Sequence, residues 1–375
     1  MNSITSIYLD LVRFLAALLV FMHHLAYERL TGTALGSLGV FGEDGVMIFF
    51  VLSGYVIAYV SAEKEGTPRE YFASRFARLY SVVVPTLVLT VLFDYWGKQL
   101  DPSLYEGRSN DSVPWLRVLV SLSFTNQFWF SDIRYFSNVP YWSISFEFWY
   151  YVLFGVALFL KGNIRWVVLT VLAVVIGPPI ILLAPVWGLG VWVYRANSQE
   201  TFSVGAGWAL FLGSLAMYLG YRYWGLGAQL TALSDAWIAP VVEPVQLHKA
   251  RFFLHDYAVG LLVALHLIGA NALAQRGTLH LHSFERPIRV AASYTFSLYL
   301  LHYPLLHLLA ALSPWPAGDI RRTLMLIAGT TCVIVLIGSV TERRKHVWKR
   351  WLLILWDEIV KRNVRPSRPG ETMAL

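Results

Sequence analysis

Long apolar stretches alternate with short polar links along almost the whole chain. Residues 8–27, 45–61, 79–96, 116–130, 141–160, 165–184, 204–223, 252–270, 288–312 and 323–341 each read as a membrane helix. About 20 predominantly apolar residues suffice to cross a ~30 Å hydrocarbon core as a helix, and the 45–61 stretch is a little short of that. Residues 185–194 (PVWGLGVWVY) are too few to cross alone and read as a half-span or re-entrant piece. Beyond the last stretch, HVWKRWLLILWDEIV alternates basic and apolar faces, as does a helix lying in the membrane interface. The pattern therefore predicts an all-α, polytopic integral-membrane bundle of about ten transmembrane helices over residues 1–345. A basic cytoplasmic interfacial helix and tail over 346–375 follow, with no separate soluble domain.

Charge orients the bundle. The link after the second stretch holds Lys64, Arg69, Arg75 and Arg78, whereas the link between the first two holds only Arg29. Basic residues accumulate on the cytoplasmic side, which places the second link and the N-terminus there. Thr67 and Pro68 make a helix start. The tail, with nine Lys or Arg against four Asp or Glu from 342 to 375, is expected in the cytoplasm too, and this requires an even number of spans. The 97–115 link is expected outside, although Lys98 and Arg108 run against the rule. Without a basic n-region or a small-residue cleavage site, residues 8–27 are not expected to be a removable signal.

Composition agrees. Of 375 residues, 57% are hydrophobic and 14% charged, against about 45–50% and about 25% in soluble domains. Fifteen Trp and twenty Tyr suit belts at the two interfaces. The net charge of +7 sits largely in the tail, where contact with anionic lipid is a simpler reading than nucleic acid. A single cysteine, Cys332, inside an apolar run excludes a disulfide within the chain and argues against thiol catalysis. Phosphate loops, GxSxG elbows and zinc-type His spacings are missing, and no metal is expected.

Ionisable residues inside the apolar stretches change the picture most. Such a group costs at least ~2.5 kcal/mol at membrane depth, and it normally faces a bundle interior or a wet cavity. The first stretch, YLDLVRFLAALLVFMHHLAY, carries Asp10, Arg13, His23 and His24. At about 100° per residue, the eleven steps from Arg13 to His24 return to within roughly 20° of one direction. The two are ~16 Å apart along the axis, with Asp10 one turn below Arg13. One helix thus offers a cation near one membrane face and an imidazole well above it. Interfacial snorkelling and bundle hydrogen bonds would use the same residues. Glu147, in YWSISFEFWYY, lies ~10 Å into its span and reads as the partner of an intramembrane Arg or as part of an active site. Asp94, Asp256, His255, His266, His302 and His307 are also at depth, and packing roles are expected for His255, His266 and His307. Pro304 should kink the helix beside His302. Arg75 and Arg78, one turn apart at the cytoplasmic surface, suit a phosphorylated ligand, since guanidinium groups bind phosphate oxygens bidentately. Lipid headgroups offer the same chemistry.

Arg13 and His24 form an Arg-x10-His motif, followed in order by GVMIFFVLSGYVI, SRFARLY, YWSISFEFWYY and FSLYLLHYPL. In these motifs, over nearly its whole length, the chain resembles the acyltransferase 3 family of bacterial integral-membrane acyltransferases. The resemblance implies an acyltransferase for groups other than amino-acyl ones, in the bacterial inner membrane. It also implies a cytoplasmic acyl-CoA donor, most often acetyl-CoA, and a hydroxyl acceptor, commonly on a cell-envelope or exported polysaccharide sugar. Arg75, Arg78 and Arg13 would then bind the donor. His24 would act as general base or carry the acyl group transiently, and Glu147 would orient Arg13 or the site's hydrogen bonds. Three positions depart from the pattern. Met47 stands where many members have Asp, so any role of that Asp is absent or shifted to Asp44. Ser74 and Arg75 precede Phe76 where many have two Arg, and Phe148 follows Glu147 where others have a second acid. An appended SGNH-type domain is not evident. A secondary transporter of a sugar, lipid or drug would also place His, Arg and acids in a bundle, but its internal symmetry and paired broken helices are not visible.

Overall fold

The computed structural model describes residues 2–33, 35–107, 109–199 and 202–363, so the far tail lies outside the described residues. In chain order the helices are α1 (Ser3–Leu25), α2 (Glu28–Thr31), α3 (Gly42–Glu63), α4 (Pro68–Leu100), α5 (Pro114–Leu122), α6 (Trp142–Phe159), α7 (Gly162–Ile176) and α8 (Pro178–Gln199). They continue with α9 (Val204–Tyr223), α10 (Leu226–Ile238), α11 (Phe253–Gln275), α12 (Glu285–Ala292), α13 (Thr295–Leu312), α14 (Ile320–Val340) and α15 (Lys345–Asn363). No strand occurs among the described residues, and nine of their helices are long and apolar enough to cross a membrane. The starts follow side-chain chemistry. Asn2 accepts from the Ile4 amide at the head of α1, and Thr67 accepts from Glu70 N, with Pro68 in the first turn of α4.

Three expected boundaries move. The 116–130 stretch is not one span: α5 ends at Leu122, and the chain then runs irregularly to α6. Hydropathy counts Phe128, Trp129 and Phe130 as apolar, but Asn126 and Gln127 require polar partners. The Asn126 carbonyl accepts from Ile133 N at 3.0 Å, and Gln127 donates to Asp132 at 2.7 Å. Phe124, Trp129 and Phe136 take positive φ. Such backbone is tolerated at membrane depth only when protein surrounds it, and Phe124, Asn126, Gln127, Ser137 and Asn138 are all buried.

A second shift is at Gly177, where φ is +87° and a Cβ would come within 2.7 Å of the Trp129 backbone. The helix breaks there, and Pro178 and Pro179 open α8, so residues 185–194 belong to a full-length helix. The 288–312 stretch also divides, into α12 and α13. α7 has fifteen residues and rises about 22 Å. Among the described residues nine helices are thus long and apolar enough to cross, against the ten expected, and α7 is a shorter apolar helix beside them.

Helix α3 sits at the centre, against α1, α8 and α11. At its crossing with α8, a Cβ on Gly54 would overlap the Trp187 carbonyl, and one on Gly190 would overlap the Val51 carbonyl. Small residues let backbones touch in this way. Gly190→Ala is therefore expected to cost about 1–3 kcal/mol, read as a lower thermal midpoint in detergent. An unchanged midpoint would show that the two helices are not in backbone contact.

Helix α13 is held at both ends of the region that matters. Pro304 has no N–H for the Leu300 carbonyl, and Asn138 Nδ2 donates to that oxygen instead, at 2.9 Å. At the start of α13, Glu342 accepts from Ser297 N and Ser297 Oγ at 2.9 Å each and from Phe296 N at 3.2 Å, which satisfies otherwise orphaned amides. α15 lies against α4, where Arg69 pairs with Asp357 at 2.5 Å.

Candidate active site

Three cavities lie in a row beside α1. The first, about 910 Å³, is lined by Arg13, Arg78, Arg289, Arg343 and Lys345, with Asp10 and Glu342 as its acids. Both carboxylates are engaged. Asp10 accepts from Arg13 Nη1 at 2.9 Å and Arg289 Nη1 at 3.0 Å, while Glu342 caps α13. Five cations around two committed carboxylates make a basin for an anion with several phosphate oxygens.

The second cavity, about 530 Å³, shares Arg13, Arg78, Thr295 and Phe296 with the first. Val46, Phe49, Phe50, Leu52 and Ile144 make it largely apolar, and Glu147 and Ser53 give it one polar wall. Glu147 Oε1 accepts from Ser53 Oγ at 3.1 Å and from the Tyr151 hydroxyl, and Arg78 Nη2 is 3.8 Å away. Glu147 therefore pairs with Arg78, and Asp10 is the acid beside Arg13.

The third cavity, about 400 Å³, shares Val46 and Tyr299 with the second and contains His24, His23, Tyr27, Glu43, Trp142 and Lys249. His24 is 7% exposed. Its Nδ1 is 2.9 Å from the Val20 carbonyl and 3.0 Å from His302 Nε2, and His302 Nδ1 is 2.8 Å from the Leu298 carbonyl. These contacts assign the tautomers. A ring nitrogen facing a carbonyl must carry hydrogen, so neutral His302 donates through Nδ1 and accepts at Nε2. The Nδ1–H of His24 is then shared between Val20 O and His302, and the basic lone pair falls on His24 Nε2.

Arg13 and His24 thus face the same row of cavities, as their spacing predicts, at its two ends. Arg78 and Glu147 line the middle. Arg75 is set apart, since it does not line the row. It forms a two-pronged pair with Glu65, at 2.7 and 3.3 Å, and lies over the Tyr71 ring.

Asp44 is also apart. It is buried between His255 Nε2 at 3.0 Å, the Tyr218 hydroxyl at 2.5 Å and Arg222 Nη1 at 3.4 Å, and so ties the start of α3 to α9 and α11. His266 bonds Tyr8 and the Phe211 carbonyl, His307 meets Arg29 at 2.8 Å, and Asp94 accepts from Ser137 N and Oγ.

Arg289, Arg343, Lys345 and the His302 contact escape the sequence reading. The basic run at 343–345 looks the same whether it marks topology or lines a cavity. His302 itself is legible as an ionisable residue at depth beside Pro304, but its partner is not.

Comparisons with known proteins point the same way as the motifs. The acyltransferase 3 family model, an acyltransferase domain, matches residues 6–340, which run from α1 through α14. The chain is 30% identical over 151 residues to acyltransferase MdmB of Streptomyces mycarofaciens, covering 38% of this chain and 36% of that protein. It is 23% identical over 351 residues to peptidoglycan O-acetyltransferase OatA of Listeria monocytogenes, covering 86% and 53%. To the O-acetyl transferase of Shigella phage Sf6 it is 28% identical over 285 residues, covering 68% and 82%. The chain thus spans about half or less of the length of the first two relatives. No solved structure matches it. On a match that takes in all but the ends of the chain, this multi-pass membrane protein belongs to the acyltransferase 3 family.

Proposed function

We propose that the chain is an integral-membrane O-acyltransferase that moves an acyl group, acetyl in the first instance, from cytoplasmic acyl-CoA to a hydroxyl on a cell-envelope or exported polysaccharide sugar. It would reside in the bacterial inner membrane with both termini in the cytoplasm. The observation that carries this reading is the order of the three cavities: a cationic basin, a narrow apolar passage, then a compartment with a basic imidazole lone pair. A nucleotide-tailed thioester has the same order of chemistry. Arg13 to His24 spans ~16 Å along α1, which is the reach required of the donor's arm. The names of the OatA and phage relatives support an O-acetyl product.

In this mechanism Arg13, Arg78, Arg289, Arg343 and Lys345 hold the donor's phosphates. Arg75, paired with Glu65, shapes the start of α4. His24 Nε2 takes the proton of the acceptor hydroxyl as its oxygen attacks the thioester carbonyl carbon. His302, accepting from His24 Nδ1–H, stabilises the cationic ring that results. The tetrahedral adduct then expels the thiolate as the C–S bond breaks, and His24 Nε2–H returns the proton to sulfur. An ester and a free thiol leave, and the imidazole is neutral again.

Radiolabelled acetyl-CoA with purified protein tests the reaction through label transfer and CoA release; substrate flux into vesicles with no CoA release would support a transporter instead. Arg13→Ala tests the basin. Asp10 keeps Arg289 in this variant, so the fold should survive. A charge-assisted hydrogen bond is worth about 1.5–3 kcal/mol, so CoA affinity should fall about 10- to 150-fold by titration calorimetry with little change in thermal midpoint. Unchanged affinity would remove Arg13 from the donor site.

A further inference from the structure

The outer cavity carries features that proton transfer at His24 does not require. Glu43, at the start of α3, and Lys249, in the segment before α11, pair across it at 2.9 Å. Their side chains are 50% and 37% exposed, so the pair sits at a rim that solvent reaches. Trp142 lines the same space, with Phe50 and Phe146 meeting it edge-on at centroid distances of 6.3 and 5.2 Å, which fixes the indole plane. The space of about 400 Å³ around these groups is continuous with solvent at the rim, so a ligand here would sit partly outside the bundle. The cationic basin is two cavities away, so the rim does not serve the phosphates.

We propose that this cavity is the acceptor subsite and that it selects an uncharged sugar ring. In that arrangement the Glu43–Lys249 pair holds adjacent hydroxyls, and Trp142 lies under the ring's apolar face. The assignment rests on the acyltransferase reading. A hydroxyl both donates and accepts, so two neighbouring hydroxyls can bond to Glu43 and Lys249 without separating the pair. With Lys249 already paired to Glu43 the rim offers no uncompensated cation, so an anionic sugar would bring a second carboxylate beside Glu43 without a free counter-ion. The titratable groups lining this cavity are His23 and His24 on α1, Tyr27, Glu43 on α3, Lys249 and Tyr299 on α13. The Nδ1 of His23 is committed to the Gly39 carbonyl. A ring held at the solvent-facing rim by the pair and the indole would direct its innermost hydroxyl toward His24, which lines the same cavity.

The test uses the full chain in detergent or nanodiscs, with radiolabelled acetyl-CoA and two soluble acceptors, a methyl glucoside and the matching methyl glucuronide. Wild type is expected to acetylate the glucoside with kcat/KM at least about tenfold above the glucuronide. Lys249→Met and Trp142→Ala should each raise glucoside KM about tenfold while CoA affinity stays within twofold. Glu43→Gln removes the repelling carboxylate and leaves the cation, so it should narrow or invert the preference for the neutral sugar. That shift is one that general destabilisation does not produce. Equal or better use of the glucuronide by wild type, or an unchanged preference in Glu43→Gln, overturns the subsite. A wild-type protein that releases no CoA with any acceptor, yet binds CoA, overturns the acyltransferase reading itself and the subsite with it.

Discussion

Replacing His24 with alanine is expected to lower acyl transfer by about 10²- to 10⁴-fold, the usual contribution of a positioned general base. The size follows from the position of the ring. Its Nδ1–H is shared between Val20 O and His302, so only Nε2 can take a proton. In the outer cavity the other titratable groups are already engaged, Glu43 with Lys249 and His23 with Gly39. The fold should tolerate the change. His302 keeps its bond to the Leu298 carbonyl, and its vacated Nε2 is an acceptor facing space large enough for water. Steady-state kinetics with acetyl-CoA, beside a thermal melt and CoA titration, separates the effects: kcat falls while the midpoint and CoA affinity hold. His302→Ala should lower kcat less, because His24 keeps Val20 as a partner. Transfer within tenfold of wild type in His24→Ala would move the base elsewhere.

How much of this arrangement the chain reveals in advance depends on how local each feature is. The Arg13 to His24 stripe is legible because helical periodicity alone fixes it over three turns, and both residues do face one row of cavities. The contact between His24 and His302 is not legible: 278 positions separate them, and only the packing of α13 on α1 brings them together. The broken span at 116–130 is legible in retrospect, since Thr125, Asn126 and Gln127 interrupt the apolar run, but three aromatic residues after them dominate a hydropathy average. Gly177, Pro178 and Pro179 likewise announce a helix break that the flanking apolar residues conceal. For Arg75 and Arg78 the limit is angular. Three helical steps turn about 300°, leaving the side chains about 60° apart. That suffices for Arg78 to enter the cavity wall while Arg75 meets Glu65, ten residues earlier in the chain.

Arg75→Ala is accordingly expected to act on stability, at a cost of about 3–5 kcal/mol, which is the usual result of removing one partner from a buried ion pair. The pair is two-pronged, at 2.7 and 3.3 Å, and both side chains are 7% exposed. Ser74 Oγ also bonds Glu65, and the guanidinium lies 4.8 Å from the Tyr71 ring centroid. Without Arg75 the Glu65 carboxylate keeps only the Ser74 hydroxyl among these partners. Unfolding of a membrane protein is commonly irreversible, so the measurement is the inactivation half-life at fixed temperature, together with the thermal midpoint. Replacing both partners, Arg75→Met with Glu65→Leu, should recover most of the loss, because two apolar side chains leave no buried charge behind. Protein of the single variant that remains folded should bind CoA within about twofold of wild type, since Arg75 does not line the cationic basin. Were the midpoint unchanged and CoA affinity tenfold weaker, Arg75 would belong with Arg78 at the donor's phosphates, as their one-turn spacing suggests.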